Sequence, residues 1–337
     1  MTPIVAFLMF HFGILDRVKK EKRKIHKKSI PLGGGLAIFV SFFLLVIFAF
    51  KAGSLGKEVT SHKMFGVFFG ALVLMIGGFL DDKYRLKPGR QILFPIVASI
   101  IAISFGIGLE SITNPNGGLF FLNQFTLSVQ GIGNWVVIAD TVVFFWLMSM
   151  MFTTKLLDGM DGLATGIVII GASMVLALTL ESRWFQPEVS TLAVLFIGSA
   201  VGFLIWNFHP AKIFLGEGGS LFLGYMLAVL AIISGSKIAT TLLVMGIPML
   251  DVARVIIRRI QNKKSVFVGD AEHLHFKLLE SGLGHRQTVF LFYSIAFLFG
   301  ASTLFLQTEQ KLIALSFLFL LMLLLGIWFM KKDEENK

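Results

Sequence analysis

Cysteine is absent from all 337 residues, which excludes both a disulfide framework and a thiolate metal site. Charge is also scarce. Asp, Glu, Lys and Arg make up 15% of the chain, and they are clustered. A soluble domain of this length needs far more charge to cover its surface. A cleavable signal peptide is missing too, because the apolar stretch after Met1 is followed by its positive charges instead of being preceded by them. What remains is apolar: 55% of residues are hydrophobic and the mean hydropathy is +0.82. Long apolar runs divided by short polar loops indicate helices that cross a bilayer, where every backbone polar group must be satisfied internally. The net charge of +10 then marks the cytoplasmic side of a membrane protein, and no nucleic acid is expected as a partner.

The apolar runs predict an all-α fold, a polytopic transmembrane bundle of about ten spanning helices. Their approximate extents are 33–53, 64–80, 92–108, 136–152, 167–181, 190–206, 219–235, 238–254, 288–306 and 312–330. The chain divides into a basic segment at 1–32, a membrane domain at 33–330 and a charged tail at 331–337. Residues 3–14 are apolar but short for a span, which suits an interfacial helix. With the N-terminus inside, 24 of the 30 basic residues fall on the cytoplasmic side. The same parity places Asp81, Asp82, Asp158, Asp161, Glu217, Asp251, His273 and His275 on that face. The outside loops, such as 114–134, are polar, contain glycine and read as connectors.

Four polar islands on this face carry candidate chemistry. Asp81 and Asp82 end an apolar run, and adjacent carboxylates at a membrane boundary are costly unless a hard cation such as Mg²⁺ relieves them. The plainer alternative is a solvated helix end. Asp158 and Asp161 share a face if helical and are flanked by glycines that permit close approach. The alternative there is a charged loop in which Lys155 neutralises an acid. Asn207 to Ser220 contains Lys212 and Glu217, and Gly218-Gly219-Ser220 opens a helix whose free N–H groups suit a phosphate. The loop at about 251–287 holds Asp251, Arg254, Arg258, Arg259, Asp270, His273, His275 and His285. His273 and His275 share a side only in extended chain. Without cysteine they read as phosphate or sugar contacts more than as a zinc site. The arginines suit either a substrate or anionic headgroups. Pro31-Leu32-Gly33-Gly34-Gly35 opens the first span, where glycine most often serves helix packing.

Five ordered segments resemble the polyprenyl-phosphate N-acetylhexosamine-1-phosphate transferases. They are Lys24-Ile25-His26 through Pro31-Leu32-Gly33-Gly34; Gly78-Phe79-Leu80-Asp81-Asp82 with Leu86 and Pro88; Asp158-Gly159-Met160-Asp161-Gly162-Leu163-Ala164; Asn207 through Ser220-Leu221; and Pro248 and Asp251 through His273-Leu274-His275. The resemblance runs from about residue 15 to 280 and is nearest to the undecaprenyl-phosphate GlcNAc-1-phosphate branch. The sequence departs from that pattern in several places. Phe152 and Lys155 stand where the family has an Asn-x-x-Asn, Glu217 stands where it has a metal-binding Asp, and Ala271 and Phe276 replace an Arg and a third His. Met1 begins about where the basic loop is due, so a helix that precedes this loop in the family is expected to be absent.

The resemblance implies transfer of an N-acetylhexosamine-1-phosphate from a UDP-sugar to undecaprenyl phosphate on the cytoplasmic side of the cell membrane. It implies Mg²⁺, with Mn²⁺ as an alternative ion, held by Asp82, Asp158 and Glu217. Asp81 would orient or deprotonate the lipid phosphate, and Asp161 and Lys155 would contact the nucleotide. Asn207, Lys212, Arg254, His273 and His275 complete the substrate contacts, and a homodimer stays open. The alternative within the family is a phospho-N-acetylmuramoyl-pentapeptide transferase. A transporter is the non-enzyme alternative, but it would place acids near the bilayer midplane, often within an inverted repeat. The Asp-Gly-x-x-Ala-Arg pattern of CDP-alcohol phosphatidyltransferases fails at Asp161-Gly162-Leu163-Ala164-Thr165.

The cysteine-free background makes the orientation directly testable. A single Asn116→Cys should react with an impermeant reagent added outside cells, and a single Lys264→Cys should not. The reverse labelling pattern would overturn the orientation.

Overall fold

A computed structural model describes residues 1–16, 29–109, 111–113, 119–122, 126–129, 133–235, 237–263 and 272–335. The Lys24-Ile25-His26 segment, most of the basic N-terminal run, Asp270 and Ala271 lie outside the described residues. Chain order begins with α1 (Thr2–His11), β1 (Leu15–Asp16), β2 (Ile30–Pro31), α2 (Gly34–Lys51), α3 (Ser61–Tyr84), α4 (Pro88–Gln91) and α5 (Leu93–Ser104). Short strands β3 (Ser111–Thr113), β4 (Leu119–Phe121), β5 (Thr126–Val129) and β6 (Gly133–Val136) follow. The chain continues with α6 (Val137–Leu157), α7 (Leu163–Leu180), α8 (Pro187–Asn207), α9 (Glu217–Ile233) and α10 (Ile238–Gln261), then α11 (Leu274–Glu280), α12 (His285–Ser302) and α13 (Thr308–Glu335).

Each of the ten apolar stretches coincides with a helix. Six of them, α2, α3, α6, α7, α8 and α10, are long and apolar enough to cross a bilayer. The protein is thus a multi-pass helical membrane protein. One expectation needs correction. The loop between α5 and α6 is not a plain connector, because β3 pairs with β4 and β5 with β6 as antiparallel hairpins. Apart from these hairpins and the two-residue β1–β2 pair, the fold is helical, as the all-α reading expects. The short apolar helix expected at 3–14 is α1, which packs against α2 and α8 and buries Val5 and Met9.

The core is organised around α9. It is apolar on every side, and each residue from Gly218 to Ile232 is buried, as expected for a helix ringed by others. It packs mainly against α2, α3, α6 and α7, with α8 and α10 completing the ring. Glycine brings three of them into backbone contact. A Cβ added at Gly78 of α3 would sit 2.0 Å from the Gly218 nitrogen, and one at Gly35 of α2 would sit 2.1 Å from Gly219 Cα. A Cβ at Gly224 would sit 2.4 Å from the Met150 carbonyl oxygen of α6. Such crossings exploit the missing side chain to let backbones touch. The glycines opening α2 add two hydrogen bonds, Gly34 N–H to Phe214 O and Gly35 N–H to Leu215 O, both 2.9 Å. These contacts hold the segment entering α9 against the start of α2. At 17 residues, α9 is about 26 Å long, close to α2 and α7 and shorter than α3 and α6. At the other end of the bundle, the Glu188 carboxylate accepts N–H groups from Gly56, Lys57, Glu58 and Val59 and ties the α2–α3 loop to α8.

Gly78→Ala should therefore lower stability by about 1–3 kcal/mol or more, read as a fall in melting temperature in detergent. Gly198→Ala on α8, where an added Cβ meets nothing within 4 Å, should be near neutral. Equal stability of the two variants would refute the crossing.

Candidate active site

The first turn of α9 faces the last turn of α3, the last turn of α6 and the loop after α6. Asp82 reaches across from α3, and its Oδ1 accepts the Glu217 N–H at 3.2 Å. A carboxylate there also meets the positive end of the α9 dipole. Gly216 is required beside it. Its φ is 78°, and a Cβ would lie 2.6 Å from Asp82 Oδ2. Glu217 turns its own carboxylate toward Lys155 in the last turn of α6, at 2.8 Å.

Asp81 points away from this contact. Its Oδ1 accepts Leu86 N–H at 2.7 Å and Gln91 Nε2–H at 3.0 Å, closing the turn from α3 into α4. Gln91 in turn accepts a hydrogen bond from Lys155 Nζ at 3.0 Å. A continuous polar chain thus runs Asp81–Gln91–Lys155–Glu217–Asp82. Asp158 follows directly on α6. Burial pushes its carboxyl well above the usual carboxylate range, and the negative charges of Glu217, Asp161 and Asp82 push it further.

The loop from Asp158 to Gly162 is pinned from beneath. Asn207 accepts the Gly162 N–H at 3.1 Å and donates to Ile213 O at 3.0 Å. Tyr293 OH donates to Gly162 O. Asp161 accepts from the His209 ring, Nδ1 lying 2.8 Å from Oδ2, and from Ala211 N–H at 3.1 Å. From above, His275 presses on Gly159, where a Cβ would lie 2.4 Å from the ring Nε2. That nitrogen is buried and makes no hydrogen bond among the described residues. Burial and the neighbouring His273 lower the His275 pKa to about 3, so the ring is neutral at physiological pH and offers a hydrogen bond in place of a charge.

The predicted residues therefore separate into groups. Asp82, Lys155, Asp158 and Glu217 face one another, with Asp161 and His275 beside them. Asp81 is joined to them through Gln91. Asn207 is buried with both ends of its amide spent on backbone, so it shapes the loop in place of contacting a substrate. Arg254 and His273 turn onto Asp251, Arg254 Nη2 at 2.8 Å and His273 Nδ1 at 2.9 Å. Arg254 also donates to Glu272 O at 2.6 Å. Lys212 is exposed and lies over the Trp206 ring, 4.9 Å from its centroid, apart from the acids. His273, in extended backbone ahead of α11, and His275 in its first turn do share a side, with rings 3° from parallel. Gln91 and Tyr293 carry no motif signal that would have singled them out, whereas His209 and His285 lie within the polar segments 207–220 and 251–287.

The oxygen donors of Asp82, Asp158 and Glu217 suit a hard divalent cation, and the mutual repulsion at Asp158 is what such a cation relieves. These three do not, however, bring ligand atoms within 4.8 Å of one another. Among the described residues, Asp161, His209 and His285 do. The His209 and His285 rings are stacked 4.1 Å apart and 19° from parallel. Imidazole lone pairs lie in the ring plane, so stacked rings aim them side by side and not at a common point. Within that group His209 is hydrogen-bonded to Asp161, while both ring nitrogens of His285 are buried without a hydrogen-bond partner among the described residues.

Fold and site together define a multi-pass membrane protein with an acidic centre at the ends of its helices. The chain belongs to glycosyl transferase family 4, whose family model matches residues 64–235. It is 33% identical to the probable undecaprenyl-phosphate N-acetylglucosaminyl 1-phosphate transferase of Bacillus subtilis, across 97% of this chain and 87% of that protein. It is 29% identical to the decaprenyl-phosphate N-acetylglucosaminephosphotransferase of Mycobacterium leprae, across 86% and 77%. Identity to the phospho-N-acetylmuramoyl-pentapeptide-transferase of Halalkalibacterium halodurans is 28%, across 91% and 93%.

Proposed function

We propose that this protein transfers N-acetylglucosamine-1-phosphate from UDP-N-acetylglucosamine to undecaprenyl phosphate at the cytoplasmic face of the cell membrane. The observation that carries this reading is the convergence of Asp82, Lys155, Asp158 and Glu217 on the N-terminus of α9. The names of the Bacillus and Mycobacterium relatives support the substrate pair. The lopsided distribution of basic residues supports the side of the membrane.

A lipid phosphate oxygen attacks the β-phosphorus of the nucleotide sugar. The bond from that phosphorus to the bridging oxygen breaks, and UMP leaves with the electron pair. A phosphate monoester has a second pKa near 6, so the lipid phosphate is largely dianionic at neutral pH and needs no strong base. This suits Asp81, which is committed to Leu86 and Gln91 and acts by fixing the α3–α4 turn. Asp82, Asp158 and Glu217 would hold Mg²⁺, which supplies positive charge to the pyrophosphate oxygens. The loop bearing Asp161, fixed by Asn207 and Tyr293, presents backbone toward the nucleotide, and the neutral His275 donates to or accepts from the sugar-phosphate. Catalysis rests on positioning and charge neutralisation.

Purified protein with undecaprenyl phosphate, Mg²⁺ and UDP-GlcNAc should yield UMP and a lipid pyrophosphoryl-GlcNAc of matching mass. UDP-MurNAc-pentapeptide should stay unreacted. Asp82→Asn should lower the rate about 100-fold or more. A preference for the pentapeptide donor, or near-normal turnover by a folded Asp82→Asn protein, would overturn the reading.

A further inference from the structure

Two of the positions at which the sequence departs from its family pattern, Lys155 and Glu217, are partners. They lie on different helices, 62 residues apart in sequence, yet the Lys155 ammonium meets Glu217 Oε2 at 2.8 Å. Lys155 is closely held, and the half-buried Glu217 side chain stands on a fixed backbone. Lys155 is only 17% exposed and is fixed from its other side by Gln91, at 3.0 Å. Glu217 begins α9, and its own N–H is tied to Asp82. Gly216 and Gly218 on either side are packed against Asp82 and α3, so the backbone at 217 has no room to slide. Under that constraint side-chain length decides reach. An aspartate at 217 would fall short of the ammonium by about one methylene. A neutral amide at 155 would leave the glutamate charge facing Asp82 and Asp158 uncompensated.

We propose that Lys155 is a positioning residue that acts as a built-in counter-ion for Glu217, competes with the divalent cation for that carboxylate, and so sets the metal affinity of the site. The inference rests on the metal-site part of the function proposed above and adds to it. An ammonium and a divalent cation cannot both neutralise the same carboxylate oxygen fully, so each weakens the hold of the other. Linkage requires the effect to be reciprocal. Metal entry must displace or share Lys155, and Lys155 in turn keeps the acidic cluster tolerable when no metal is bound. Gln91 belongs to the same unit, because it fixes where the ammonium stands and relays that position to Asp81.

Mn²⁺ binding to the purified, detergent-solubilised full-length protein, followed by electron paramagnetic resonance without any substrate, tests this directly. Lys155→Gln should tighten Mn²⁺ binding roughly five- to tenfold in the wild-type background. It should have little effect in the Glu217→Asp background, where the shortened carboxylate no longer reaches the ammonium. Lys155→Arg, which keeps the charge, should bind Mn²⁺ close to wild type, and it carries the comparison if Lys155→Gln does not fold. Equal effects of Lys155→Gln in both backgrounds, weaker binding by Lys155→Gln, a Lys155→Arg affinity far from wild type, or no Mn²⁺ binding by any of these proteins would overturn the proposal. Because the readout is metal binding, it separates from the transfer reaction. A wild-type protein that is inactive on UDP-GlcNAc but shows the predicted cycle refutes the substrate and leaves the counter-ion in place.

Discussion

Backbone-to-backbone contact at the start of α9 is the constraint on which the rest of the structure depends. Gly78 against Gly218 and Gly35 against Gly219 let α3 and α2 reach α9 with no side chain between them. Helix ends that would otherwise stand a full side-chain layer apart are brought close enough for one carboxylate to bond the next helix's first N–H. Asp82 does this at Glu217. The third glycine crossing, Gly224 on Met150, sets the height of α6 and delivers Lys155 and Asp158 to the same place. The acids are gathered by packing, since their mutual repulsion opposes the gathering.

That repulsion is handled by two devices. One is the α9 N-terminus, whose dipole and free N–H groups favour negative charge. The other is the polar chain Asp81–Gln91–Lys155–Glu217, which places a single cation among the acids and anchors it on both sides. Asp158 benefits from neither and shows the strain as a carboxyl that resists ionisation. Residual negative potential of this kind is what a hard divalent cation would relieve under the proposed function. His275 adds a neutral, buried nitrogen beside Gly159 and no charge to the balance.

Much of this was legible in the sequence because its signals are local. Apolar runs located all ten large helices, and the distribution of basic residues put the acids at one end before any contact was known. What escaped notice depends on distance in the chain. Nothing in the sequence around Gln91 says that it joins Asp81 to Lys155, and nothing around Asn207 says that its amide serves Gly162 and Ile213. Arg254 and His273 read as substrate groups until Asp251, three residues before one and 22 before the other, is seen to hold both. The hairpins β3–β4 and β5–β6 were hidden because strands of three or four residues are too short for periodicity to separate them from loop.

The central claim is that helices crossing at glycines build one cation site at the start of α9. Crystals of the protein soaked with Mn²⁺ and measured at its absorption edge test it most directly. The account predicts an anomalous peak bounded by Asp82, Asp158 and Glu217, with Lys155 drawn off Glu217. A peak confined to Asp161, His209 and His285, with the Lys155–Glu217 pair unchanged, would contradict it.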